Sequence, residues 1–141
     1  MDTDVAYLEI SALAELIRSR QVTSTEVTTA LLERIETLDP RLQSYATVTS
    51  ERALSDAAAA DAEIARGHYR GPLHGVPIAL KDLVHTEGIT TTAGMTIHGD
   101  FVPDQDGTIA TRLRAAGSVL LGKVRMTEGA FSAHHPDLPT P

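Results

Sequence analysis

The chain has 141 residues, enough for one ordinary domain with a substantial core. Its hydrophobic share is 42%, its aromatic share 4% and its net charge −7, so the core must be aliphatic and alanine-rich, and the charge argues against nucleic-acid or anionic-membrane partners. No cysteine is present, which rules out disulfides and thiolate chemistry, and the acidic start Met1-Asp2-Thr3-Asp4 shows neither a signal-peptide pattern nor an apolar span, so a cytoplasmic protein is expected.

Taken in order, Ser11 is placed to cap a short helix with Leu13, Leu16 and Ile17 on one face. A second helix starts at Thr23-Ser24-Thr25-Glu26, where Thr23 and Glu26 have capping-box spacing. Val27, Leu31, Ile35 and Leu38 form its apolar stripe, and Asp39-Pro40 is expected to end it. Tyr45 to Val48 reads as extended. A third helix runs from about Ser50 to Arg66 around the alanines Ala57 to Ala60, with Gly67 as its C-cap. Residues 1–67 therefore read as a helical layer, and residues 68–141 as the start of the sheet that it covers.

In that second part the apolar run Val76, Ile78, Ala79 and Leu80 predicts a buried strand, and Thr86-Glu87-Gly88 a turn. Asp106 is expected to cap a helix holding Ile109, Leu113 and Ala116, closed by Gly117. Val119-Leu120-Leu121 predicts a second strand, apolar on both sides like the first. Strand, loop, helix, strand implies a crossover in a partly parallel sheet. The fold class is thus α/β: an N-terminal helical layer plus the beginning of a mixed, partly parallel sheet covered by helices. The chain finishes with an extended, proline-rich stretch, His134 to Pro141.

Chemistry concentrates at the end of the first strand. Pro72 and Pro77 stiffen the approach, and the apolar run then meets a single cation, Lys81, followed at once by Asp82. A lysine that loses hydration at a buried strand end has a neutral amine within reach, fit to act as a general base or as a nucleophile toward carbonyls. On pattern alone the commoner fate of such a lysine is structural, snorkelling to solvent or pairing with the adjacent Asp82.

Other signals are weaker. Gly117 to Val124 matches a phosphate-binding P-loop except at Val124, where a magnesium-binding hydroxyl is required, and its interior is strand-forming. The histidines lack ligand spacing: His134 and His135 are adjacent, and His68, His85 and His98 are scattered, while His74 belongs to a glycine-flanked turn. No metal or cofactor is expected. None of the serines, Ser11, Ser19, Ser24, Ser44, Ser50, Ser55, Ser118 and Ser132, stands in a glycine-flanked nucleophile context.

Gly71–Leu83, Thr90-Thr91-Thr92-Ala93-Gly94, Ala115–Lys123 and Met126-Thr127-Glu128 follow one another with the order and spacing of the amidase signature family, which the chain resembles from about Gly71 onward. The resemblance implies a large mixed sheet wrapped in helices, in which residues 1–141 are the N-terminal part of a single amidase domain. It implies hydrolysis of a small-molecule amide by a serine–serine–lysine triad, with Lys81 as the catalytic base. Both serines belong, in the family, to a glycine- and serine-rich segment that follows a stretch like His135-Pro136-Asp137. The expectation is therefore an N-terminal fragment, inactive alone, whose full-length form is compatible with a homodimer; substrate-binding residues are not assigned. Family members often have serine where this chain has Met95, asparagine at Arg125 and phenylalanine at Gly129. Glu128 to Pro136 looks more like the broad amidases than the tRNA-dependent amidotransferase subunits. Two rival readings are a non-catalytic binding module or subunit on an amidase half-fold, and an enzyme using Lys81 as a Schiff-base nucleophile.

Overall fold

The computed structural model describes residues 5–131. After a 3-10 turn at Val5–Tyr7, helix α1 spans Ile10–Arg18 and buries Leu13, Ala14 and Ile17. Its N-cap is Glu9 and not Ser11, because Leu13 N–H already donates to the Glu9 carbonyl at 3.0 Å, which places Ser11 inside the first turn.

Helix α2, Ser24–Leu42, opens with the capping box that the sequence signals. The Thr23 hydroxyl accepts from Glu26 N–H at 3.0 Å, and the Glu26 carboxylate accepts from Thr23 N–H at 2.7 Å. A second carboxylate, Asp61, reaches over to accept from Ser24 N–H (2.7 Å) and Thr25 N–H (3.0 Å), so the positive end of the helix faces two anions. Asp39-Pro40 does not end this helix, which runs on to Leu42 and stops where Gln43 turns left-handed. Proline removes only one donor so near the terminus, and Gln43 N–H closes the last turn on the Asp39 carbonyl at 2.7 Å.

Strand β1 is Tyr45–Val48, and helix α3, Ser50–Ala65, buries Ala53, Ala57, Ala60 and Ile64 on one stripe before Gly67 turns left-handed. Strand β2 is Pro77–Lys81, helix α4 is Thr108–Ala115, and strand β3 is Val119–Val124. Asp106 does not cap α4, whose N-cap is Gly107. Its carboxylate instead accepts from Glu87 N–H and pairs with Arg114, both at 2.8 Å, tying the loop before the helix to the turn at Glu87.

The strands form one sheet in the order β1-β3-β2, antiparallel between β1 and β3 and parallel between β2 and β3. The central strand is covered on both faces as expected: Val119 and Leu121 pack on Ala53 and Ala57 of α3, and Leu120 packs with Leu80, Ile89 and Ala110. A further cluster joins Leu13, Ala14, Ile17, Val27 and Ile64 to Val76. Strand β2 departs from the expectation of two buried faces. Only Leu80 is buried, and Ala79 and Lys81 are exposed, because β2 is an edge strand of the described sheet.

Strand β3 carries one irregularity that sets the geometry of the site. Ile78 pairs with Leu120 but Ala79 pairs with Gly122, so β3 holds an extra residue against β2. Gly122 is needed there, since a Cβ would stand 2.1 Å from the Thr47 carbonyl oxygen. Gly122→Ala is therefore expected to destabilise by more than about 3 kcal/mol, beyond the usual cost of a point substitution. Thermal unfolding of the two proteins checks this; an unchanged midpoint would show that β1 does not approach so closely.

Candidate active site

The carboxyl ends of the parallel pair lie side by side, Lys81 opposite Val124. In open α/β sheets this end is where ligand sites form. Lys81 sits at the tip of β2 with its side chain exposed, and its ammonium makes no hydrogen bond or ion pair among the described residues.

Asp82 does not pair with it. The carboxylate turns inward, is 1% exposed, and accepts from Thr92 N–H at 3.0 Å and from the Thr92 hydroxyl. Its backbone N–H donates to the Val124 carbonyl at 3.0 Å, and its carbonyl accepts from Ala93 N–H at 2.9 Å. The cation facing it is Lys123 of β3, 0% exposed, with Nζ 3.5 Å from Asp82 Oδ1. That distance is long for a hydrogen bond, so Oδ1 serves as a counter-charge. The same ammonium donates to the Val84 carbonyl at 2.8 Å and to the Thr91 hydroxyl at 2.7 Å. Burial pushes the Lys123 ammonium below the usual lysine range, with Asp82 opposing. The desolvated lysine of the molecule is thus Lys123, not Lys81. In the sequence Lys123 stands out as the Gly-Lys of a failed P-loop and as the last residue of the Ala115–Lys123 block, and neither gives it a role. The structure places that Gly-Lys inside β3, where no phosphate cradle exists.

The loop beyond is held just as closely. Gly94, at φ +68°, leaves no room for a side chain, since a Cβ would lie 2.8 Å from the Met126 carbonyl oxygen, and Gly129 N–H donates to the Ala93 carbonyl at 2.9 Å. Two departures from the family pattern meet here. A Cβ on Gly129 would stand 2.9 Å from the Met95 Cε, so the longer side chain at 95 occupies the room beside the missing one at 129.

His74 is built into the fold. It is buried, its Nδ1 accepts from Arg70 N–H at 3.1 Å, and its Nε2 stands 3.3 Å from the Glu63 carboxylate. That arrangement assigns the proton to Nε2 of a neutral ring. Burial pushes its pKa down, with Glu63 opposing. The hydroxyls of Ser19, Ser24 and Ser118 donate to backbone carbonyls, Ser24 to Gly75 at 2.6 Å. Among the described residues no group of three or more histidines, cysteines or acids gathers around a point, and no helix is long and apolar enough to cross a membrane. Ser132, His134, His135 and the proline-rich end lie outside the described residues.

The family described as Amidase matches residues 26–139. The chain belongs to the amidase family. It is 58% identical over 142 residues to AmiD of Mycobacterium tuberculosis, which carries an amidase name, covering 100% of this chain and 30% of that protein. It is 45% identical over 130 residues to a subunit of the glutamyl-tRNA(Gln) amidotransferase of Moorella thermoacetica, covering 92% of this chain and 27% of that one. Among solved structures, native peptide amidase from Stenotrophomonas maltophilia superposes with a TM-score of 0.82 at 38% identity, over 89% of this chain and 26% of that one. The chain thus spans about 30% of the length of the curated relatives it matches.

Two outcomes are expected from this geometry. Folded His74 takes up a proton less readily than the unfolded chain, so the unfolded state binds more protons below pH 6.5 and stability falls as the pH drops through that value. Denaturant unfolding at a series of pH values should show this decline, flattened in His74→Gln; an equal decline in the variant would assign it to other groups. Restoring the commoner residues as a pair, Met95→Ser with Gly129→Phe, should cost about 1 kcal/mol less than the sum of the single changes, measured as a double-mutant cycle. Simple additivity would show that 95 and 129 do not compete for the same space.

Proposed function

We propose that this chain supplies the base of an enzyme that hydrolyses a small amide in the cytoplasm, with Lys81 in that role. The observation carrying the reading is the Lys81 ammonium itself, without a partner among the described residues at the carboxyl end of a parallel strand, in the Gly71–Leu83 motif of an amidase-family chain. A serine hydroxyl is a poor nucleophile until a base takes its proton, and a lysine serves only while its amine has a free lone pair. Lys81 would draw the proton from the nucleophilic serine by way of a bridging serine and return it to the leaving amine. Backbone N–H groups would hold the oxyanion, and water would then cleave the acyl-enzyme.

We infer that both serines are supplied by residues outside this sequence. Three of the described serines, Ser19, Ser24 and Ser118, have hydroxyls engaged by backbone carbonyls, and Ser11, Ser44, Ser50 and Ser55 lack the glycine-flanked setting of a nucleophile. Residues 1–141 then form one continuous part of a single amidase domain. The 58% identity to AmiD against 45% to the amidotransferase relative favours the broad amidases. The latter relative's being named a subunit supports a second reading, in which the chain works within a larger assembly.

The 141 residues alone are expected to hydrolyse no simple amide above background, and turnover that disappears in Lys81→Ala would show a nucleophile within them. In a form extended through a glycine- and serine-rich segment, Lys81→Ala and Lys81→Arg should each abolish turnover while circular dichroism stays unchanged. Arginine retains its positive charge but cannot give up its proton, so activity surviving in Lys81→Arg would defeat the general-base role.

A further inference from the structure

We infer that Lys123 is a positioning residue for Lys81: by drawing Asp82 into the fold it denies Lys81 the acid beside it in sequence and leaves the Lys81 amine free at the strand end. The inference rests on reading Lys81 as the base. Its ground is a competition between two cations for one carboxylate. Lys81 and Lys123 are the only lysines of the chain. They lie on adjacent parallel strands, one residue out of register, with Leu80 opposite Lys123 and Lys81 opposite Val124. Asp82 follows Lys81 directly, yet its carboxylate faces Lys123 at 3.5 Å. Among the described residues no other charged group comes within ion-pair distance of Asp82 or Lys123.

The remaining bonds make the choice stable. Asp82 Oδ2 is bound by Thr92, and the two other Lys123 donors are engaged by Val84 and Thr91. All these partners lie in residues 82–92, so one buried ammonium fastens the segment leaving Lys81 and fixes which way its first carboxylate points. Without Lys123 the buried carboxylate would be left without a counter-ion. The least costly remedies are protonation or rotation outward to the neighbouring amine, and rotation would occupy the amine that the mechanism needs.

The presence of only two lysines makes the test direct. The 141-residue chain is treated with a limiting amount of acetic anhydride at mildly alkaline pH, and acetylation of the peptide containing Lys81 is followed by mass spectrometry. In Lys123→Met, Asp82 becomes available to Lys81, and the Lys81 rate should fall by up to about five-fold, the factor corresponding to a good exposed ion pair. Adding Asp82→Asn to Lys123→Met removes the competing charge and should restore the original rate. An unchanged Lys81 rate in folded Lys123→Met, or no recovery in the double variant, overturns the proposal. Should Lys123→Met fail to fold, the native chain decides by nuclear Overhauser contacts to the Asp82 β-protons. Contacts from the Lys123 ammonium support the assignment, and contacts from the Lys81 ammonium overturn it. Amide turnover surviving Lys81→Ala in the extended form would remove the base role yet leave the acetylation result intact, so the two readings fail separately.

Discussion

A lysine ammonium taken out of water loses hydration worth several kcal/mol, and only a counter-charge with well-placed acceptors offsets the loss. Lys123 is fully buried and finds this compensation in Asp82, the Val84 carbonyl and the Thr91 hydroxyl. The arrangement stands or falls as a whole, because removing one partner strands another in a dry interior. The segment after β2 is therefore no surface loop free to drift. Asp82 holds Thr92 and the Ala93 backbone, Ala93 holds Gly129, and Gly94 sits against Met126, so the end of β2 and the end of β3 are closed into one unit.

That unit depends in turn on the irregularity in β3. Leu121 packs on Ala53 and Ala57 of α3 in an apolar cluster. Strict alternation would send Lys123 to that same face, away from the Val84 and Thr91 oxygens. The extra residue near Gly122 re-aims the strand, so that Lys123 reaches the side where Leu120 packs and where Val84 and Thr91 present their oxygens. Gly122 makes this shift compatible with the close pass of β1, whose Thr47 carbonyl fills the space a side chain would need. A backbone detail on the central strand thus decides where the buried charge points.

Signals confined to neighbouring residues were legible in the sequence. The capping box at Thr23 and Glu26, the alanine stripe of α3, the turn at Thr86–Gly88 and the strands around Leu80 and Leu120 all follow from period, propensity and spacing. Three of the misplaced readings share one cause, a partner that the pattern does not name displacing the expected role. Asp106 is a plausible cap by position, but Glu87 and Arg114 claim its carboxylate. Asp39-Pro40 reads as a stop, yet the Asp39 carbonyl and carboxylate serve Gln43 and Ser44 beyond it. Lys81 next to Asp82 reads as a local pair, and a cation from another strand takes the acid. Lys123 carried no warning, since its burial follows from a bulge that a strand pattern cannot show.

The exposure of Lys81 bears on how such a site would be completed. A neutral amine is favoured by two means, removal of a nearby acid and removal of water. Within the described residues the first is in place, because Asp82 is turned inward, while the second is not, because Lys81 stands on the open edge strand. Among the described residues no strand pairs with that outer edge of β2, the same strand whose tip carries the amine. Any element that satisfies the edge must run alongside β2 and shield Lys81 from solvent as it does so. Completion of the sheet and desolvation of the Lys81 amine would then be one event, as the proposed base role requires.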